Sequence, residues 1–420
     1  MDKLLRLITS RGVGRALRHR YYAWMELAGW FSASGLWFHR TAVGWLTFEL
    51  TDSAAWVGMM VTAEAVPAVL LAPFAGVFAD RFDRLLIARL TQLGMMLVAT
   101  ALSVLAFLDR LDVFVLLGAM ALNGVVSAFW QPVRMSLVPG LVPREDLPQA
   151  IGLHSVLFNL ARFAGPAMAG VTIKLWGAGP AFAINALSYG AFLAVFFYVR
   201  ILYPDRPVDR RTTLFSSFKE GLAYAFGHPS LRPLLLFVLV FAFLVRAWTE
   251  LFPAINAVMF DLAAAQRAEA LGYMLSGLGI GAVIGSLWMG AFARPENLVK
   301  LMSIGTGVAL ITLLGFAMAN AAETGIALCV ALGFGVNSIG TGGQMMVQTS
   351  VRGDMRGRVL GIWGMSIRAA PAFGALALGM LTGLLSFPAV FLLTTALCLL
   401  WGVHTFRHRA AMSASMQPPA

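Results

Sequence analysis

Charge is what this sequence has least of. Asp, Glu, Lys and Arg together make up 12% of its 420 residues, about half the ~25% of a soluble domain. A soluble fold of this length needs far more polar surface. Cysteine is also rare. Cys329 and Cys398 both sit in apolar stretches and read as small buried side chains, with no disulfide framework and no metal-ligand spacing. The motifs H-E-x-x-H and G-x-S-x-G do not occur, and no lysine follows a glycine. Zinc, acyl-serine and P-loop chemistry therefore lack their usual carriers. No enzyme, no cofactor and no metal is expected. Short alternating segments are missing as well, which argues against a membrane β-barrel.

What the chain does contain is apolar surface. Hydrophobic residues reach 59% and glycine accounts for 42 positions, a composition suited to helices packing closely in lipid. Apolar runs long enough to cross a bilayer fall at 22–47, 54–80, 84–107, 112–140, 149–174, 177–202, 231–257, 268–292, 298–319, 323–348, 357–382 and 386–407. Each must be helical, because lipid offers the backbone no hydrogen-bond partners. The fold class expected is all-α integral membrane, with twelve transmembrane helices in two six-helix bundles.

The net charge of +11 would suit a nucleic-acid binder if it lined one polar face. Instead the basic residues occupy short connectors. With the N-terminus inside, only Arg110, Lys174 and Arg267 fall on outer loops, and most of the 31 Lys and Arg are cytoplasmic. That bias places both termini in the cytoplasm of a multi-pass cell-membrane protein, with a bacterial inner membrane as the expected setting. No nucleic acid is implied. The expected organisation is an amphipathic cytoplasmic segment (1–21), a first bundle (22–202), a polar linker (203–230), a second bundle (231–407) and a cytoplasmic tail (408–420). Ser216 and Ser217 are candidate caps of a short surface helix in the linker. Arg246 follows Arg40 by the same interval at which Arg368 follows Arg162, and GVFADR at 76–81 is echoed by GAFARP at 290–295. Together these favour duplication of a six-helix unit.

Between the second and third spans, Gly76-Val-Phe-Ala-Asp80-Arg81-Phe-Asp83-Arg84 resembles the G-x-x-x-D-R-x-x-R signature of the major facilitator superfamily. Residues 131–170 look like the fourth-to-fifth-helix segment of the enterobactin-exporter and macrolide-efflux-like branch, and RGDMRGRVLG at 352–361 resembles its R-G-R-V element. Gly165-Pro166 with Gly170 resembles the antiporter motif of drug:proton exporters; a simple Pro kink is the rival reading. The resemblance implies conformational-switch roles for Gly76, Asp80, Arg81, Arg84, Gly165, Pro166 and Arg356. Two departures stand out: Asp83 occupies a position where the pattern commonly has Gly, and Arg294 occupies the second-half position matching Asp80.

The intramembrane charges carry the mechanistic expectation. Each charge facing lipid at mid-bilayer costs about 2.5–3.5 kcal/mol, so Arg40, Arg162, Arg246, Arg368, Glu64 and Glu250 must line a polar cavity or pair. Arg246 and Glu250 are spaced i,i+4. Glu64 lies about 15 Å from the outer end of its span, either as a proton-coupling site or as a partner of Arg40. Arg162, Arg368, Asn159, Arg40 and Gln344 are the candidate substrate-binding residues; Glu64 and Glu250 are the candidate proton carriers. Asn337 and Gln348 are equally compatible with helix-helix bonding, and His154 is a further candidate proton carrier. The excess of cationic groups favours an anionic substrate. The function expected is a proton-coupled exporter of a small siderophore-like or drug-like molecule, acting as a monomer in contact with membrane lipid. Import, or lipid and lysolipid movement on the same fold, is the alternative.

Overall fold

A computed structural model describes residues 12–203, 214–294 and 296–406; within these, the side chains at 12–13, 73, 76–77, 79–81, 214–218, 354 and 406 are not described. All regular structure among the described residues is helical. The α-helices are α1 (Arg20–Thr51), α2 (Ala54–Arg81), α3 (Arg84–Phe107), α4 (Val113–Leu137), α5 (Leu147–Trp176), α6 (Ala178–Tyr198), α7 (Leu214–Gly227), α8 (Leu231–Leu244), α9 (Phe252–Met259), α10 (Ala264–Phe292), α11 (Leu298–Met318), α12 (Ala322–Ser350), α13 (Gly353–Leu381) and α14 (Phe387–Phe406). Short 3-10 turns precede α1 (Gly12–Arg18) and α5 (Arg144–Asp146), and another joins α8 to α9 (Arg246–Glu250).

Eleven segments among the described residues are long and apolar enough to cross a bilayer. Helix α1 is the longest single α-helix, at 32 residues, but is not among the eleven. It carries Glu26, His39, Arg40 and Glu49, which dilute its hydropathy.

Helix boundaries follow local chemistry. Asp83 caps α3 by accepting from the Leu85 amide at 2.8 Å, so the Asp found where the signature commonly has Gly satisfies an otherwise orphaned donor. Asp112 caps α4 in the same way, accepting from Phe114 and Val115. A single residue, Gly177 at φ 77°, turns the chain from α5 into α6; a side chain there would be strained. The predicted span 231–257 is broken. Pro253 lacks an amide proton and its ring would collide with the carbonyl four residues back. The helix therefore stops at Leu244, tightens to a 3-10 turn and restarts at Phe252.

The chain divides into two compact units, Met1–Val43 with Val66–Arg210, and Gly44–Ala65 with Arg211–Ala420. In the first, α3 packs on α4 and α6, and Trp130 of α4 meets Phe192 and Phe196 of α6 edge-on. In the second, α10 and α12 form a tightly apposed pair, α11 packs on α12 and α14, and α13 packs on α8. Trp248, fully buried, stacks near Phe391 at 4.1 Å between ring centroids. Backbones approach closely where glycines meet: a Cβ added to Gly281 of α10 would lie 1.8 Å from the Val330 carbonyl oxygen, and one on Gly333 of α12 would lie 2.1 Å from that of Leu278.

Candidate functional site

Helix α5 carries Asn159, Arg162, Gly165 and Pro166. Pro166 lies inside a helix that stays continuous from Leu147 to Trp176. Gly165 is buried against α1: an added Cβ would sit 2.7 Å from Trp37 Cβ. Trp37 is also approached by Arg40, whose guanidinium carbon is 5.9 Å from the ring centroid. Arg40 and Gly165 are thus brought to one aromatic side chain. Asn159 turns back on its own helix, donating to the Ser155 carbonyl at 2.8 Å.

In the second unit, Arg368 on α13 and Gln344 on α12 are exposed, and Glu250 and Glu64 are half-buried. Arg246 donates to the Ile367 carbonyl, one residue before Arg368, so two of the singled-out arginines converge. The α-helical spacing that put Arg246 and Glu250 on one face does not apply, because both lie in the 3-10 turn, where residues three apart eclipse. Asn337 donates to Ser286 Oγ at 2.7 Å, a bond between α12 and α10 of the helix-joining kind.

Among the switch residues, Arg84 donates to the Ser136 carbonyl at 3.0 Å, tying the start of α3 to the end of α4. Arg356 is exposed, while its neighbour Arg358 pairs with Glu220 of α7. Gly76, Asp80 and Arg81 lie in the helical end of α2, but their side chains lie outside the described residues, as do those of Ser216 and Ser217. The segments 1–11, 204–213 and 407–420 are likewise outside them.

One constellation escaped the sequence reading. Glu26 of α1 is 1% exposed. His154 Nδ1 donates to its Oε1 at 2.7 Å, Arg134 of α4 approaches its Oε2 at 3.5 Å, and the Arg134 guanidinium also lies against the His154 ring. Tyr22, one turn before Glu26, donates to the Ala150 carbonyl at 2.7 Å. A buried carboxylate is tolerated only when paired and hydrogen-bonded, and this one has both. Truncating one member of such a buried pair costs about 3–5 kcal/mol. The signal was present: Glu26, Arg134 and His154 all fall inside predicted spans. It was missed because Glu26 and Arg134 sit near span ends, where a charge reads as interfacial.

A separate cleft of about 490 Å³ lies in the second unit, bordered by Asp52, Asn320, Thr382 and Ser386. It contains none of the candidate substrate residues. Near it, Arg267 pairs with Glu49 at 3.4 Å. Among the described residues no cluster of three or more His, Cys, Asp or Glu could hold a metal.

Apolar helices of bilayer length with ionisable groups set inside them define a polytopic membrane protein of the transporter type. The profile of the transmembrane secretion effector family of major facilitator transporters matches residues 15–418, and this chain belongs to that family. It is similar to the staphyloferrin A transporter of Staphylococcus aureus, 24% identical over 68% of this chain and 71% of that protein. It is also similar to the multidrug efflux pump Tap of Mycolicibacterium fortuitum, at 26% over 86% and 89%, and to the enterobactin exporter EntS of Escherichia coli, at 26% over 81% and 77%. Among solved structures, a bacterial homologue of the human lysosomal transporter Spinster superposes with a TM-score of 0.75 at 12% identity, over 96% of this chain and 99% of that one. The nucleoside transporter NupG gives 0.72 at 11%, over 95% and 100%. These two likenesses concern the fold alone. Relatives and fold neighbours alike are membrane transporters, not enzymes.

Proposed function

We propose that this protein is a proton-coupled exporter of small, anionic, siderophore-like molecules, working by alternating access. The observation that carries the reading is the recurrence of efflux and siderophore transport among relatives matched over most of the chain. The excess of arginine over glutamate among the membrane-embedded side chains supports an anionic substrate. Twelve crossings are proposed, with α1 as the twelfth and both termini cytoplasmic in a bacterial inner membrane, arranged as two six-helix bundles around a midplane site. In this reading Arg162, Arg368, Arg40, Asn159 and Gln344 line the substrate cavity. Glu64 and Glu250 are its acidic groups, and the Asp80 and Arg356 regions bias one of the two alternating states.

The test is transport of radiolabelled staphyloferrin A into everted membrane vesicles. Arg162→Ala and Arg368→Ala should each reduce its initial rate at least tenfold at unchanged expression, since an anion loses its main attraction in a low-dielectric cavity. A cationic drug, ethidium, should be moved no worse by the variants than by the wild type. Wild-type rates of staphyloferrin A transport in both variants would refute the anion-binding assignment.

A further inference from the structure

The Glu26, His154 and Arg134 cluster includes none of the residues assigned to the substrate cavity, and its construction asks for a different role. It joins three helices, α1, α4 and α5, through one buried carboxylate. Glu26 is sealed at 1% side-chain exposure, whereas His154 keeps 32%. Of the two side chains that hold the carboxylate, the imidazole is the more exposed, 32% against 14% for Arg134, and it is the one that can hand on a proton.

The charge balance makes the cluster a two-state element. With Arg134 counted as a cation, Glu26 as an anion and the imidazole as neutral, the three groups sum to zero. One added proton, on the imidazole or on the carboxylate, leaves a net positive charge beside an apolar cluster that includes the chain neighbours Met25, Val133 and Leu153. If the carboxylate takes it, Glu26 becomes neutral and its attraction for Arg134 falls. The bonds that Glu26 itself makes to α4 and α5 therefore depend on a single proton.

The surroundings continue the polar path toward the end of α1 where the chain enters. Tyr22 bonds the Ala150 carbonyl, one helical turn from His154. One turn further, Asp146 accepts from His19 Nε2 at 2.7 Å and pairs with Arg15 at 2.7 Å. Positions 146, 150 and 154 thus present three successive polar contacts from the start of α5 to partners in and just before α1. Of the charged groups of neighbouring α3, Arg84 donates to the Ser136 carbonyl and Arg89 to that of Phe196.

We infer that Glu26, bonded to His154 and Arg134, is a proton-binding site of the transport cycle, loaded through His154 from the α1–α5 seam. The inference rests on the proton-coupled reading above and adds a site beyond Glu64 and Glu250.

Two measurements on the full-length protein test it. The first needs no substrate: pH-difference infrared spectra of the protein in lipid films between pH 5 and 8. The carboxylic C=O absorption that grows on acidification should lose one component in Glu26→Gln, and that component should shift in frequency in Glu26→Asp and persist in Glu64→Gln. His154→Gln should retain the band but slow its appearance after a pH jump at least tenfold. The second is transport of staphyloferrin A in everted vesicles. Glu26→Gln should lose at least tenfold of gradient-driven accumulation yet keep downhill equilibration, and Glu26→Asp should recover accumulation in part. If the wild type moves no staphyloferrin A, the substrate reading fails and the infrared band alone decides. Absence of a titrating carboxyl band in the wild type, or a difference spectrum unchanged in Glu26→Gln, overturns the site.

Discussion

Gly281→Ala will lower the melting temperature of the purified protein by several degrees, while Gly290→Ala on the same helix will leave it unchanged or slightly raised. Both substitutions gain helix propensity, worth about 1 kcal/mol. At Gly290 nothing lies within 4 Å of the added methyl, so only that gain is felt. At Gly281 the methyl would stand 1.8 Å from the Val330 carbonyl oxygen and 2.8 Å from the Phe334 amide nitrogen. Those atoms are backbone of α12 and cannot rotate away. The helices must separate, and every neighbouring contact along the α10–α12 seam loosens with them. Overpacking of this kind costs about 1–3 kcal/mol, which exceeds the propensity gain. For a domain of roughly 150–250 residues each kcal/mol is worth about 2–4 °C. Fluorescence-detected thermal unfolding of the two variants side by side checks the prediction, and equal melting temperatures would contradict the close approach.

Gly58→Leu is expected to abolish transport while leaving the protein folded. In the second unit, α2 and α13 meet along a line of small residues. An added Cβ on Gly58 would lie 2.5 Å from the Ala375 carbonyl oxygen, and one on Gly379 would lie 2.4 Å from that of Ala54. Thr62 Oγ1 donates to the Ala372 carbonyl at 2.9 Å, closing the row. A leucine at position 58 leaves no room for the α13 backbone, so the seam cannot close. In the alternating-access cycle proposed above, such a seam forms and parts in every turnover. The transport rate in everted vesicles should fall below about a tenth of the wild-type value, a loss of about 1.4 kcal/mol or more in the closed state. A cysteine at Thr62 reports the geometry directly, since the native Cys329 and Cys398 are buried. Its labelling by a membrane-impermeant maleimide should be slow in the wild-type background and at least tenfold faster beside Gly58→Leu. Unchanged labelling would mean that the seam tolerates the larger side chain.

Much of the helical layout was legible beforehand, because lipid punishes unpaired backbone groups and so forces long apolar runs to be helices. Most predicted spans from Ala54 onward begin and end within a few residues of observed helices. The seventh span did not survive intact. Its apolar character runs unbroken to residue 257, and hydropathy is blind to the missing amide of Pro253 that splits it. The site was legible only in part. The residues Arg40, Gly165 and Arg246 could be picked out by charge or by motif, yet their neighbours, Trp37 and the Ile367 carbonyl, could not. Glu26 was passed over because its distance along the chain from Arg134 and His154 hides a contact made by three separate helices.

The sequence by itself determined that this chain is a helical membrane transporter of the major facilitator type. That conclusion depends on composition, the length of apolar runs and short motifs, all of which are local properties read without knowing how helices are rotated. Only the tertiary structure decided which face of each helix meets which neighbour. Rotating a helix by one residue turns a side chain by about 100°, following from 3.6 residues per turn. Whether Glu26 faces lipid or bonds His154 is therefore settled by packing, where glycines let backbones touch and larger side chains hold them apart.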